Sequence, residues 1–282
     1  MSATLVSTAQ LAEHLNDPGW RVFDCRHDLK NLDYGSQAYA RGHIPGALFL
    51  HLDRDLSGAK NGGNGRHPLP EPAAFAATLS RCGVGPETQV VAYDNEGGIF
   101  AARLWWMLRW LGHRRVAVLD GGLAAWKRAK LPLQETTPQV APANFAAQVG
   151  DRPVLVDEVV ADLAAAQLLL LDARNAERFR GEKETLDPVG GHIPGARNRF
   201  YADNLDDHGI HFKSAQELAE DYAALLAGRD PRSVVQTCGS GVTACHNLLA
   251  MEIAGLSGSR LYAGSWSEWC ADPARPIAQG ED

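Results

Sequence analysis

Short apolar runs recur along the chain, and each closes on a polar residue followed by a turn signal. Val22-Phe23-Asp24-Cys25-Arg26, Val90-Val91-Ala92-Tyr93-Asp94, Leu170-Leu171-Asp172-Ala173-Arg174 and Val234-Val235-Gln236-Thr237-Cys238 all have this form. Such runs lack strict polar alternation, so they predict strands buried on both faces. Longer apolar segments at about 101–111 and 242–254 predict helices. Val116 to Trp126 and Arg260 to Trp269 each predict a short strand leading into a Gly/Trp segment. Val154-Leu155-Val156-Asp157-Glu158 predicts a further strand before an Ala/Leu helix. Strands alternating with helices imply an α/β fold, a mainly parallel sheet with helices on both faces.

The pattern occurs twice. Gly42-His43-Ile44-Pro45-Gly46-Ala47 returns as Gly191-His192-Ile193-Pro194-Gly195-Ala196. The flanking strands and helices follow in the same order, over roughly 130 residues in each copy. Two tandem domains of one fold are therefore expected, 1–135 and 153–282. The Pro- and Thr-containing stretch 136–152, which has no clear periodicity, is expected as the linker.

Apolar residues make up 45% of the 282, enough for real cores. The net charge of -7 is spread along the chain and argues against nucleic acid or an anionic membrane as partner. No run approaches about 18 uncharged apolar residues, and the start lacks the pattern of a signal peptide. The five cysteines fit neither a disulfide framework nor a zinc site, so a reducing cytoplasm, no metal and no cofactor are expected.

One cysteine stands out. In parallel sheets, sites form where a strand end leads into a helix. Cys238-Gly239-Ser240-Gly241 lies at such a place, before the helix predicted from Val242. Two glycines let the backbone curl so that N–H groups converge, and the helix start adds more unpaired N–H groups. A thiol there is open to activation as a thiolate. Taken alone, the motif reads as a reactive thiol, with a buried core cysteine beside a Gly-rich turn as the alternative. The absence of Lys speaks against a phosphate loop, and the absence of a closing Arg against a cysteine phosphatase. In the first repeat Asp94 stands where Cys238 stands, so only the second copy can use sulfur.

Together these features resemble the tandem-rhodanese sulfurtransferases, over nearly the whole chain. The resemblance implies two rhodanese-like domains with catalysis in the second. The loop Cys238-Gly239-Ser240-Gly241-Val242-Thr243 is similar to the 3-mercaptopyruvate branch; the thiosulfate branch typically carries a basic pair after the cysteine. By the same resemblance Cys238 is the nucleophile. Gly239, Gly241, Val242 and Thr243 line the substrate, and Arg178 binds its carboxylate, which a guanidinium can grip through two bonds. His67 and Asp53 match the partners of Ser240 in a proton relay from the first domain. One departure stands out: where that branch has a second substrate arginine, this chain has Asp187, with Arg180, Arg197 and Arg199 as candidate replacements.

The expected reaction is ping-pong transfer of sulfur through a Cys238 persulfide to cyanide, a thiol or thioredoxin, with release of pyruvate. Thiosulfate as donor is the nearest alternative, and a persulfide carrier without turnover the next. His43, His192 and the tryptophans are expected to be structural, although Trp266 or Trp269 can also reach a pocket mouth. Cys245, placed about two helical turns beyond the loop, is expected in the core.

Overall fold

The computed structural model describes residues 4–150 and 152–281. The chain forms two compact units. One takes Met1–Gly58, Pro70–Asp151 and Asp206–Phe212; the other takes Ala59–Leu69, Arg152–Leu205 and Lys213–Asp282. Most of the expected linker thus goes with the first unit, where Gln148 and Gly150 donate backbone bonds to Leu111 and Trp110. Asp151 lies outside the described residues.

In the first unit the strands are β1 (Leu5–Val6), β2 (Trp20–Asp24), β3 (Leu48–Phe49), β4 (Gln89–Tyr93) and β5 (Val116–Leu119). They form one sheet in the order β1-β5-β4-β2-β3, and every pair is parallel. All four residues of β5 and four of the five in β4 are buried. Successive strand residues point to opposite faces, so both faces must be covered. Val91, Tyr93, Leu119, Leu123 and Trp126 join one core cluster.

The second unit repeats this frame with β6 (Leu169–Asp172), β7 (Arg197–Asn198), β8 (Val234–Thr237) and β9 (Arg260–Leu261), in the parallel order β7-β6-β8-β9. β6 and β8 are buried along their whole length. The core here includes Leu170, Phe179, Val235, Trp266 and Trp269. Trp266 and Trp269 are therefore packing residues, each with its indole N–H on a backbone carbonyl (Val189 and Pro276).

The predicted strand at 154–158 is a correction. Only Val154 pairs, as a single parallel bridge to Tyr262, and a helix runs from Val156 to Ala165. The Glu158 carboxylate accepts the Leu155 N–H at 2.9 Å, satisfying a donor at the helix start and favouring helix over strand.

The repeated motifs do structural work. Asp24 and Arg26 form a buried ion pair, and Arg26 donates to the Gly42 carbonyl at 2.9 Å. Asp172 and Arg174 do the same toward Gly191 at 2.7 Å. Each strand end thus grips the start of its own Gly-His-Ile-Pro-Gly-Ala turn. His43 stacks on Tyr39 at 3.8 Å and His192 on Phe179 at 3.7 Å, so both histidines are structural.

Candidate active site

Cys238 follows β8 directly, and its thiol is almost wholly buried. The Ser240 and Gly241 N–H groups point at Cys238 Sγ, at 3.4 and 3.1 Å. Gly241 reaches this turn with φ +75°, and a side chain there would collide with the Ala263 carbonyl. Glycine is required on both counts.

The segment after β9 holds the loop from behind. Cys238 N–H donates to Ser265 Oγ at 3.1 Å. Trp266 N–H and Ser267 N–H donate to the carbonyls of Cys238 and Gly239, each at 2.9 Å. Ser265 takes φ +53°, a left-handed conformation that costs a non-glycine residue about 1 kcal/mol or more. Its hydroxyl, bonded to Cys238 N–H and the Tyr262 carbonyl, is what that conformation delivers.

His67 comes from the Gly-rich segment 59–69, which belongs to the same unit. Its Nδ1 lies 2.7 Å from Ser240 Oγ, and both side chains are buried. Asp53 belongs to the other unit. There its carboxylate lies 3.6 Å from His27 Nε2, and its N–H donates to His51 Nδ1 at 3.1 Å. His27, His51 and Asp53 are close enough to suit a metal ion. However, Nε2 of His51 faces the Leu32 carbonyl at 3.0 Å, so both ring nitrogens of His51 already have partners.

Arg178 lies in the last turn of a short helix, Ala176–Phe179, capped by Asn175. Its Nε donates to both Glu184 oxygens, at 3.2 and 3.0 Å, and its Nη2 to Asp187 at 3.1 Å. Asp187 also pairs with Arg66, the residue before His67. Both guanidiniums reach the cysteine loop: a Cβ built on Gly239 would lie 2.8 Å from Arg66 Nη2 and 3.5 Å from each Arg178 Nη. The rim over Cys238 therefore carries two cations and two carboxylates. Burial pushes Asp187 above the ordinary carboxylate range, against the pull of Arg66 and Arg178. Burial acts on Glu184 too, but Arg178 and the backbone N–H groups of Leu186 and Asp187 outweigh it and hold its pKa low.

Several expectations are revised here. Arg180 pairs with the exposed Glu182, Arg197 with the Leu225 carbonyl, and Arg199 with Asp221 and Asn204. All three are engaged by those partners, and the guanidinium that lies with Arg178 beside Gly239 is Arg66. Uncharged Gly239 and Ser240 therefore do not leave the rim without positive groups. Cys245 is nearer the loop than expected, because the helix Thr243–Ile253 begins just before it. Its thiol donates to the Gly241 carbonyl at 3.3 Å. Arg66 was legible only as the cation beside His67, and no sequence signal marks Ser265 or Ser267.

The corresponding loop of the first unit is closed on itself. Asp94 Oδ1 accepts N–H bonds from Glu96 and Gly98, at 2.8 and 2.9 Å. Oδ2 accepts from Phe100 and Ala101, at 2.8 and 2.9 Å. The Phe212 ring lies over this turn, 3.5 Å from where a Gly98 Cβ would stand. A carboxylate of the chain's own thus occupies the cradle that in the second unit surrounds a thiol.

A thiol cradled at a strand end in the second of two matching α/β units defines the class. The profile of the rhodanese-like domain matches residues 7–129 and again 155–272, and the chain belongs to that family, with two rhodanese-like domains. A Pseudomonas aeruginosa protein named "Probable 3-mercaptopyruvate sulfurtransferase" is 49% identical over 284 residues, covering 99% of each chain. The thiosulfate sulfurtransferase of Cricetulus griseus is 34% identical over 98% of this chain and 96% of its own. The solved 3-mercaptopyruvate sulfurtransferase from Leishmania major superposes with a TM-score of 0.83 at 34% identity, over 94% of this chain and 74% of that one. The protein is an enzyme, a sulfurtransferase acting on a small sulfur donor. Among the described residues no helix is long and apolar enough to cross a membrane.

Proposed function

We propose that the enzyme takes sulfur from 3-mercaptopyruvate through a persulfide on Cys238, releases pyruvate, and passes the sulfur to cyanide, a thiol or thioredoxin. The observation that carries this reading is the pairing of the Cys238 cradle with Ser240 Oγ held 2.7 Å from His67 Nδ1. A carbon leaving group needs a proton, and this pair is built to move one.

In the first half-reaction the Cys238 thiolate attacks the donor sulfur. The C–S bond breaks, and its electron pair goes to carbon, forming the enolate of pyruvate. The proton that the donor thiol carried ends on that carbon, relayed by Ser240 and His67. Cys238 is oxidised to the persulfide and the donor carbon is reduced. N–H groups of Ser240 and Gly241 stabilise negative charge on sulfur, and Arg178 binds the donor carboxylate beside Gly239. In the second half-reaction the acceptor attacks the outer sulfur and frees the Cys238 thiolate. No metal or organic cofactor enters, and Asp94 leaves the first unit catalytically silent. Five free cysteines fit a reducing cytoplasm.

Intact mass after mixing with 3-mercaptopyruvate tests the reading. One added sulfur on Cys238, with stoichiometric pyruvate, is expected; Cys238→Ser should show neither. Turnover by Cys238→Ser, or a clear kcat/KM preference for thiosulfate, would overturn it.

A further inference from the structure

Arg66 and Asp187 lie 121 positions apart, yet they are paired over the active loop. Asp187 is a bridge: one oxygen holds Arg66 Nη1, and the other holds Arg178 Nη2 at 3.1 Å. Its own side chain is only 3% exposed, whereas Arg66 keeps 26% exposure and Arg178 19%. The carboxylate is thus packed behind the two guanidiniums, which remain open to a ligand. Two further contacts pin the Arg66 segment: Arg66 N–H donates to Ser267 Oγ at 3.0 Å, and Ser267 N–H holds the Gly239 carbonyl. The guanidinium tip therefore has a fixed place relative to the cysteine loop.

These carboxylates leave Arg66 Nη2 and Arg178 Nη1 to face Gly239. Two N–H donors from separate cations, both within 3.5 Å of one point beside Gly239, can each take one oxygen of a carboxylate. The same four side chains sum to no net charge: Arg66 and Arg178 against Glu184 and Asp187. Such a rim recognises an anion by directed bonds rather than by field. A monoanion gains both bonds; a compact dianion also has to be desolvated without a matching excess of positive charge.

We propose that Arg66 is a substrate-binding residue, the second guanidinium for the donor carboxylate. Asp187 is its positioning residue, and the pair sets selectivity for monocarboxylate over dianionic donors. The inference rests on the sulfurtransferase reading above and assigns its carboxylate contacts. It also explains Gly239, since any side chain there would occupy the space of the Arg66 tip.

Steady-state kinetics of the full chain with 3-mercaptopyruvate and with thiosulfate, cyanide as acceptor, decide the matter. Arg66→Ala should raise KM for 3-mercaptopyruvate about 10-fold or more, with kcat within about threefold, since one charge-assisted bond is lost. The inhibition constant of pyruvate, a carboxylate without transferable sulfur, should rise in parallel. Arg66→Lys keeps the charge without the fork and should fall between; Arg197→Ala should match wild type. Asp187→Asn removes one negative charge, so the two donors should move in opposite directions: kcat/KM falls for 3-mercaptopyruvate and rises for thiosulfate. Damage to the fold would lower both. The inference fails if wild type turns over 3-mercaptopyruvate while Arg66→Ala leaves KM unchanged, or if Asp187→Asn, with its thermal midpoint unchanged from wild type, lowers both donors together. Wild type that does not turn over 3-mercaptopyruvate would instead sink the donor assignment itself, whatever the Arg66 variants do to pyruvate binding.

Discussion

Ser240→Ala separates two chemistries that share one cysteine. The substitution removes only Oγ, whose partner is His67 Nδ1 at 2.7 Å. The backbone N–H of Ser240, 3.4 Å from Cys238 Sγ, stays, as does that of Gly241. The anion cradle is therefore intact, and the proton route is cut. With 3-mercaptopyruvate the leaving group is an enolate that must be protonated on carbon. With thiosulfate the attacked sulfane sulfur releases sulfite, and no carbon needs a proton. General acid–base contributions run to about 100-fold or more. A water admitted where the hydroxyl stood recovers part of this, so the expected fall in kcat for 3-mercaptopyruvate is about 100-fold, close to 2.7 kcal/mol in barrier. The change for thiosulfate should be within about threefold, and the folding cost of one lost hydrogen bond about 1 kcal/mol. Stopped assays of thiocyanate with both donors, and of pyruvate with 3-mercaptopyruvate, together with a thermal melt, give all three quantities. His67→Ala should act alike, and the double variant should fall no further than either single, because the two residues act as one unit. Equal losses on both donors would place Ser240 in the cradle alone and refute the relay. An unchanged kcat for 3-mercaptopyruvate would refute it as well.

Two further outcomes follow from other parts of the molecule. Asp94→Ala strands four N–H donors that now end on one carboxylate at 2.8 to 2.9 Å, and should destabilise the first unit by about 3 kcal/mol, roughly 10 °C in its calorimetric midpoint; a shift under about 2 °C would mean that those bonds add little. Asp187 is raised by burial and Glu184 held low, so Asp187 protonates first as pH falls, and the rim then carries one net positive charge. The ratio of kcat/KM for thiosulfate over 3-mercaptopyruvate should climb as the pH is lowered from neutral and Asp187 protonates ahead of an ordinary carboxylate, and should stay flat in Asp187→Asn. A flat wild-type ratio would exclude Asp187 from donor choice.

The strands were legible because runs such as Val90–Tyr93 and Leu169–Leu171 are apolar without alternation, a pattern that burial on both faces explains. Val154–Glu158 misled because a β-branched apolar run reads as strand unless the Glu158 carboxylate is seen to hold the Leu155 N–H. Cys245 is in the core as expected, on a helix that starts within one residue of the expected Val242.

What the sequence determined by itself is local and repeated. Strand, turn and helix around Cys238 lie within a few residues of one another, and the second copy, with Asp94 in the same place, makes the contrast readable without coordinates. The rim was decided by tertiary structure alone. Arg66 meets Asp187 across 121 positions and Ser267 across 201, and no spacing rule links such residues. Asp187 shows the difference best. As a letter it is an arginine lost from a substrate site; in the folded chain it is the carboxylate that joins Arg178 to a guanidinium supplied from elsewhere. Charge at a site depends on which side chains converge in space, and chain order does not record that.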